Sequence, residues 1–276
     1  MKIKSYSKVN LSLRILKKLK SGMHSIETNS ILVNLYDEII LKKSRKNVTI
    51  FKGEFKNKVN KKNNTIINTL KLLTKLNIIK KSYKVIVKKN IPVFAGLGGG
   101  TSNSVSIFKY FMKNKINDKN ISIFEKVIGS DFRLFLNKSS FQKKIAKVNK
   151  SPNKIYLPFL IIYPNINCKT KNIYNLSNSL SAPSGNFYNR KQNREKFIEK
   201  IKKDKNDLQN IVVKKYPKIS KLIHSISIQK GCVISRMTGS GSACFGVFKS
   251  KKTVKLAFTK LKRKYPKYWC VITKTI

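Results

Sequence analysis

The feature that most constrains this chain is the run Ile91-Pro92-Val93-Phe94-Ala95-Gly96-Leu97-Gly98-Gly99-Gly100-Thr101-Ser102-Asn103, which places four of its twelve glycines within five positions. Lacking a Cβ, glycine lets backbone N–H groups approach a ligand closely and takes positive φ at little cost. Upstream, Tyr83-Lys84-Val85-Ile86-Val87 predicts a strand. Downstream, Val105, Ile107, Phe108, Phe111 and Met112 recur at a helical interval, with Thr101 or Ser102 as candidate N-cap. Strand, glycine loop and helix start together present free N–H groups and a positive dipole end, a combination suited to phosphate. A plain strand-to-helix turn needs fewer glycines and fewer small polar residues, so phosphate binding is the favoured reading.

Two common phosphate loops are excluded. The P-loop ends in Gly-Lys-Ser/Thr, and the chain contains no Gly-Lys dipeptide. A dinucleotide fingerprint beginning at Gly96 needs a glycine where Thr101 stands.

Composition sets the outer limits. A chain of 276 residues with 41% hydrophobic content can build one large domain or two small ones around a real core. The longest strongly apolar stretch, 155–163, is too short to span a bilayer and contains Pro158. Asn10, Ser12 and Arg14 interrupt any signal-like apolar region near the start. Cys168, Cys232, Cys244 and Cys270 are scattered without a Cys-x-x-Cys pair, so ordinary thiols in a reducing cytoplasm are expected, with no disulfide framework or zinc site. No membrane partner is expected.

The net charge of +50 would favour phosphorylated partners and could drive non-specific nucleic-acid binding. Its lysines, however, are spread over the whole length, in a chain rich in Ile and Asn and poor in Ala and Arg. That pattern fits compositional drift toward A/T-rich codons, with no specific nucleic-acid partner. A basic, non-enzymatic nucleic-acid-binding protein is the rival reading. With only eleven carboxylates, any catalytic acid comes from a short list.

Along the chain, strands are predicted at 3–6, 9–15, 26–35, 39–41 and 48–51, with Asp37-Glu38 interrupting between the third and fourth. Residues 64–77 carry one apolar stripe and predict a helix, as do residues 102–113 and 120–128. A composition shift at 147–152 suggests a boundary, giving units 1–150 and 151–276. The second opens on a buried strand at 155–163, then a polar loop over 178–206 leading into an exposed helix. A helix over 211–226, strands at 233–236 and 243–248, a helix at 254–261 and a closing strand at 269–272 complete the expectation. Mixed strands and helices in two halves indicate an α+β protein. Oligomeric state has no signature in the sequence.

The loop itself, Pro-x-x-x-Gly-Leu-Gly followed by small residues, resembles the phosphate loop of the GHMP kinases. Its ending in three glycines and Thr-Ser-Asn is similar to the branch that phosphorylates a cytidine-diphosphate methylerythritol. Further segments resemble the same branch in the same order. They are Ser7-Lys8-Val9-Asn10-Leu11, Gly22-Met23-His24-Ser25-Ile26, Gly129-Ser130-Asp131, Asn206-Asp207-Leu208 and Arg236-Met237-Thr238-Gly239-Ser240-Gly241-Ser242. Together they span nearly the whole chain.

The resemblance implies a ribosomal-protein-S5-like N-terminal domain and an α+β C-terminal domain. It also implies transfer of the γ-phosphoryl of ATP to the 2-hydroxyl of 4-(cytidine 5′-diphospho)-2-C-methyl-D-erythritol, in the non-mevalonate route to isoprenoids. Other GHMP acceptors, such as mevalonate, homoserine or a sugar, fit the loop equally well but leave the Gly-x-His segment unexplained. On this reading Asp131 is the base and Lys8 the cation that orients it and stabilises charge on the transferred group. The residues from Pro92 to Asn103 hold the ATP phosphates, and Asn64 and Lys89 lie at the adenine end. Asn10, Met23, His24, Thr170 and Tyr174 bind the acceptor, His24 hydrogen-bonding its cytosine. Met23 stands where the branch has an aromatic, and a thioether can still pack on a ring face. Mg²⁺ is expected with ATP, with no Asp/Glu/His cluster marking a dedicated cage. Arg133, two residues past Asp131, departs from the Val-Pro usual there. It either binds substrate phosphate or points to solvent. His224 lies outside every motif and is expected to be structural.

Overall fold

The computed structural model describes residues 1–276 except 21, 145–146, 153–154, 178–179, 186–187 and 189. Its contacts divide it into two compact units. The first comprises Met1–Lys8, Leu35–Val93 and Gly98–Asn137; the second comprises Val9–Asn34, Phe94–Leu97 and Lys138–Ile276. These units interleave along the chain, whereas the division at 150/151 is linear. The reason is that β1 (Lys2–Lys18) and β2 (His24–Ser44) are long enough to supply residues to both.

In the first unit, β2 pairs antiparallel with β4 (Ser82–Lys88) from Glu38 to Ser44, and β3 (Val48–Lys52) joins β4 in parallel. The helices of this unit are α1 (Thr65–Lys75), α2 (Gly99–Met112) and α3 (Asp118–Ile128), and α1 packs on both of the others. Asn64 and Asn117 cap α1 and α3 with their side chains, satisfying N–H groups that have no intrahelical acceptor. The buried stripe of α1 is Ile66, Leu70 and Leu73; α2 contributes Val105, Ile107, Phe108 and Met112.

In the second unit, β2 pairs with β5 (Ser139–Lys144) over Thr28–Ile31, and β5 pairs with β6 (Lys147–Lys150). A separate antiparallel sheet runs in the order β10–β7–β9–β8, from β7 (Pro158–Tyr163), β8 (Cys232–Met237), β9 (Cys244–Phe248) and β10 (Trp269–Lys274). Its helices are α4 (Thr170–Asn175), α5 (Arg194–Lys203), α6 (Asp207–Lys215), α7 (Pro217–Ser227) and α8 (Lys251–Lys264). Leu160, Ile162, Leu208, Leu222, Ile226 and Phe248 sit in one apolar core with Leu13 and Ile15 of β1.

Four local expectations change. β2 runs straight through Asp37-Glu38, because Asp37 is neutralised inside the fold and Glu38 pairs with Lys2 at the surface. α2 begins at Gly99, inside the glycine run, with Gly98 as a left-handed N-cap in place of Thr101 or Ser102. The predicted 211–226 helix is two helices. Pro217 lacks an N–H and disfavours helical backbone at Tyr216, so α6 ends there and Pro217 becomes the first residue of α7. The composition shift at 147–152 begins on β6, a four-residue edge strand with lysine at both ends that pairs with β5.

Candidate active site

In the first unit the chemistry gathers at the start of α2. Ser102 N–H bonds Gly98 O, the first helical bond, so the N–H groups of Gly99, Gly100 and Thr101 have no acceptor within the helix. No acidic residue lies in that first turn and no side chain caps it, leaving the positive helix end available to an anion. Space and conformation both require glycine at the cap: Gly98 has φ 66°, and a Cβ there would lie 2.6 Å from Phe135 Cζ and 3.3 Å from Lys8 Cε. Ser102 Oγ, 2.7 Å from Ser5 Oγ and donating to Tyr6 O, ties the helix to β1. Thr65 donates to Gly100 O, tying it to α1. Asn103 is buried in the same turn.

Lys8 reaches this helix start and ends 3.2 Å from Asp131. Asp131 sits on a short 3₁₀ segment, Ser130–Phe135, entered through Gly129. The neighbours of Asp131 explain its placement. Phe132 is fully buried, its ring 5.2 Å from Phe108 and 5.9 Å from Phe124. Arg133 neither faces solvent nor reaches for phosphate: it donates to Glu125, Asp118 and Ser122 on α3. Lys109 of α2 donates to the carbonyls of Phe135 and Leu136, and burial pushes its pKa down. Ring packing, ion pairs and carbonyl contacts thus clamp the turn while Asp131 stays open to water.

Lys89 is buried against Asp37, whose other oxygen accepts the N–H groups of Asn90 and Ile91. Its ammonium lies 3.1 Å from where a Cβ on Gly99 would stand. Asn64 places both ends of its side chain locally, capping α1 and donating to Asn60 O. Asp37 escaped the sequence reading. The signal was an acid inside an apolar alternation, which looked like a strand break.

In the second unit, the loop's first part meets the last glycine motif. A Cβ on Gly96 (φ 76°) would overlap Thr238 O, and Ala243 N–H donates to Ala95 O. Pro92 and Leu97 are buried and Val93 half-buried; Phe94 is exposed. Asn10 N–H donates to Thr238 Oγ1 and its amide to Thr28 Oγ1. Thr170 Oγ1 lies 3.0 Å from Ser240 Oγ, and α4 carries Tyr174 to within 5.5 Å of the His24 ring, tilted by 34°. Burial, then the Lys18 charge, lowers the His24 pKa. Met23 is exposed beside it. Thr238 and Gly239 complete this cluster, Gly239 packing on Gly96 and Asn10. His224 is exposed on α7, away from these groups in sequence and contact.

Family models give the decisive comparison. "GHMP kinases N terminal domain" matches residues 64–128 and "GHMP kinases C terminal" matches 189–267. A curated relative from Pelagibacter ubique, named 4-diphosphocytidyl-2-C-methyl-D-erythritol kinase, is 34% identical over all of this chain and 99% of its own length. The chain belongs to this GHMP kinase family. It is a kinase of the two-domain α+β GHMP fold, and the family implies a nucleotide phosphoryl donor. A relative of the same name from Wolbachia sp. subsp. Brugia malayi is 29% identical over 97% of this chain and 96% of its own. A solved structure described as 4-(cytidine 5'-diphospho)-2C-methyl-D-erythritol kinase overlays with a TM-score of 0.75 at 18% identity, covering all of both chains, which bears on the fold alone. Among the described residues of this GHMP kinase, no helix is long and apolar enough to cross a membrane.

Proposed function

We propose that this kinase transfers the γ-phosphoryl group of ATP to the 2-hydroxyl of 4-(cytidine 5′-diphospho)-2-C-methyl-D-erythritol, a step of the non-mevalonate route to isoprenoids. The observation that carries the reaction type is the Lys8–Asp131 pair at the N-terminus of α2, in contact with Gly98. The name shared by the full-length relatives supports the acceptor.

The free N–H groups of Gly99, Gly100 and Thr101 hold donor phosphate oxygens at the helix end. Asp131 orients the acceptor hydroxyl and takes its proton as the oxygen bonds to the γ-phosphorus, while the bond to the β,γ-bridging oxygen breaks and ADP leaves. Lys8 keeps the carboxylate aimed and offsets charge on the transferring group. His24 and Tyr174 receive the cytosine. Mg²⁺ fits as a companion of the nucleotide, neutralising its phosphates. Among the described residues no group of three or more His, Cys, Asp or Glu forms a cage for it. The site is read as acting in the cytoplasm on a small molecule, with the +50 charge a property of the surface and not a nucleic-acid site.

A radiometric assay with ATP and Mg²⁺ tests this, offering the cytidine acceptor, mevalonate and homoserine side by side. Turnover is expected to be highest with the cytidine compound; preference for an acceptor lacking cytidine overturns the assignment.

A further inference from the structure

Phe94 holds a left-handed backbone, φ 59°, at the entrance of the glycine loop. Among the described residues the other non-glycine positions with positive φ are Asn77, Lys113 and Asn165, so Phe94 is the aromatic one. Bulky residues resist this conformation, and they keep it only where the surroundings impose it. Here the surroundings are plain. Phe94 O accepts from Cys168 N–H at 3.4 Å, Ala95 O accepts from Ala243 N–H at 3.1 Å, and Gly96 is pressed onto Thr238. The backbone is pinned, yet the residue is left half open to solvent: Phe94 remains 47% exposed.

The chain that Phe94 bonds leads directly to the acceptor residues. Two positions after Cys168 comes Thr170, bonded to Ser240, and one turn of α4 later Tyr174 lies against His24. Met23 and Leu176, beside those two rings in sequence, are 52% and 51% exposed. Other apolar side chains are as exposed, Leu180 and Ile228 among them, so what marks Phe94 is the backbone imposed on it beside the segment that carries Thr170 and Tyr174, and not exposure alone.

We propose that Phe94 is a specificity-determining contact for the phosphoryl acceptor, its ring packing on the carbon face of the acceptor's polyol. This rests on the acceptor-binding role given above to His24 and Tyr174, and it replaces the ATP contact expected for Phe94 from sequence. A ring held in this way rewards an acceptor with exposed C–H surface and gives nothing to one that is polar on every side.

Phe94→Gly tests the proposal without disturbing the loop, because glycine prefers the backbone conformation found there. Acceptor and ATP are varied separately in steady-state kinetics. The acceptor KM is expected to rise about tenfold, the scale of losing a half-covered phenyl contact. The ATP KM and the melting temperature hold or improve, and Phe94→Tyr restores the acceptor KM. An unchanged acceptor KM overturns the proposal, as does a rise confined to ATP. A lower melting temperature for Phe94→Gly also counts against it, since the ring would then serve folding. The functional reading stands or falls separately, on whether the wild-type enzyme phosphorylates the cytidine compound. Should it prefer another hydroxyl acceptor, the variant-to-wild-type KM ratio on that acceptor still decides the role of Phe94.

Discussion

Lys8 Nζ and Asp131 Oδ2 lie 3.2 Å apart, and water reaches the two partners very differently: the lysine side chain is 3% exposed and the aspartate 36%. A buried cation with one open carboxylate is suited to chemistry at the carboxylate. It holds the anion in place while leaving its other oxygen free to meet a hydroxyl.

Asp131→Ala is therefore expected to lower kcat by about 10²–10⁴-fold, the range for a lost general base. Lys8→Met keeps the stem and removes the charge, and should cost about 10²–10³-fold as a lost electrostatic stabiliser. Because the two act as a unit, the double variant should fall little below the worse single one. Single-turnover kinetics with saturating ATP measure this; independent, additive losses would refute the pairing.

Gly98→Ala places a methyl against Phe135 and Lys8 at φ 66°. The strained cap is expected to cost about 1–3 kcal/mol of stability. It should also weaken ATP binding by moving the helix start. Thermal melts and nucleotide titration report the two effects. Gly100→Ala meets only Thr65, at 3.5 Å, and should be much milder on stability.

Asp37 neutralises Lys89 and satisfies two backbone N–H groups in the same buried place. Asp37→Ala leaves a buried ammonium unpaired and should destabilise the fold by about 3–5 kcal/mol. Adding Lys89→Met removes the orphaned charge and should recover a substantial part of that loss. Urea unfolding of both variants decides it; no recovery in the double variant would place the cost on the backbone N–H groups instead.

His24 gives the pH prediction. Burial and Lys18 both disfavour its cation, so its pKa lies below the ordinary 6.5. The neutral ring therefore prevails at and above that pH. Its contribution to acceptor binding is present through the neutral range and is lost as pH falls below 6.5. The acceptor KM should be flat at neutral pH and rise on the acid side. His24→Gln should flatten that acid limb while raising KM overall.

Motifs carried by short local spacing were legible before folding. The strand, glycine loop and helix in succession, the apolar stripe of α1 and the helix α3 are each written within a few residues. These helices form close to where the spacing placed them, though α2 starts at Gly99 with Gly98 as its cap. Asp37 and Arg133 were not legible, because a charged residue in sequence does not say whether its partner waits inside the fold. Asp37 looked like a break in a strand and is the hub of a buried pair. Arg133 read as either a contact to substrate phosphate or a solvent-facing cation, and it is an anchor to Glu125, Asp118 and Ser122.

The sequence alone pointed to phosphate at a glycine-rich helix start, and named the few residues that could accompany it. Backbone freedom and helix polarity are local properties, readable from residue types in order. Only the tertiary structure decided that Lys8 is buried and faces Asp131, that Lys89 spends its charge on Asp37, and that Phe94 stays uncovered in a backbone shape it resists. Those outcomes depend on which distant segments displace water from a side chain, and burial of that kind is set by packing, not by neighbours in the chain.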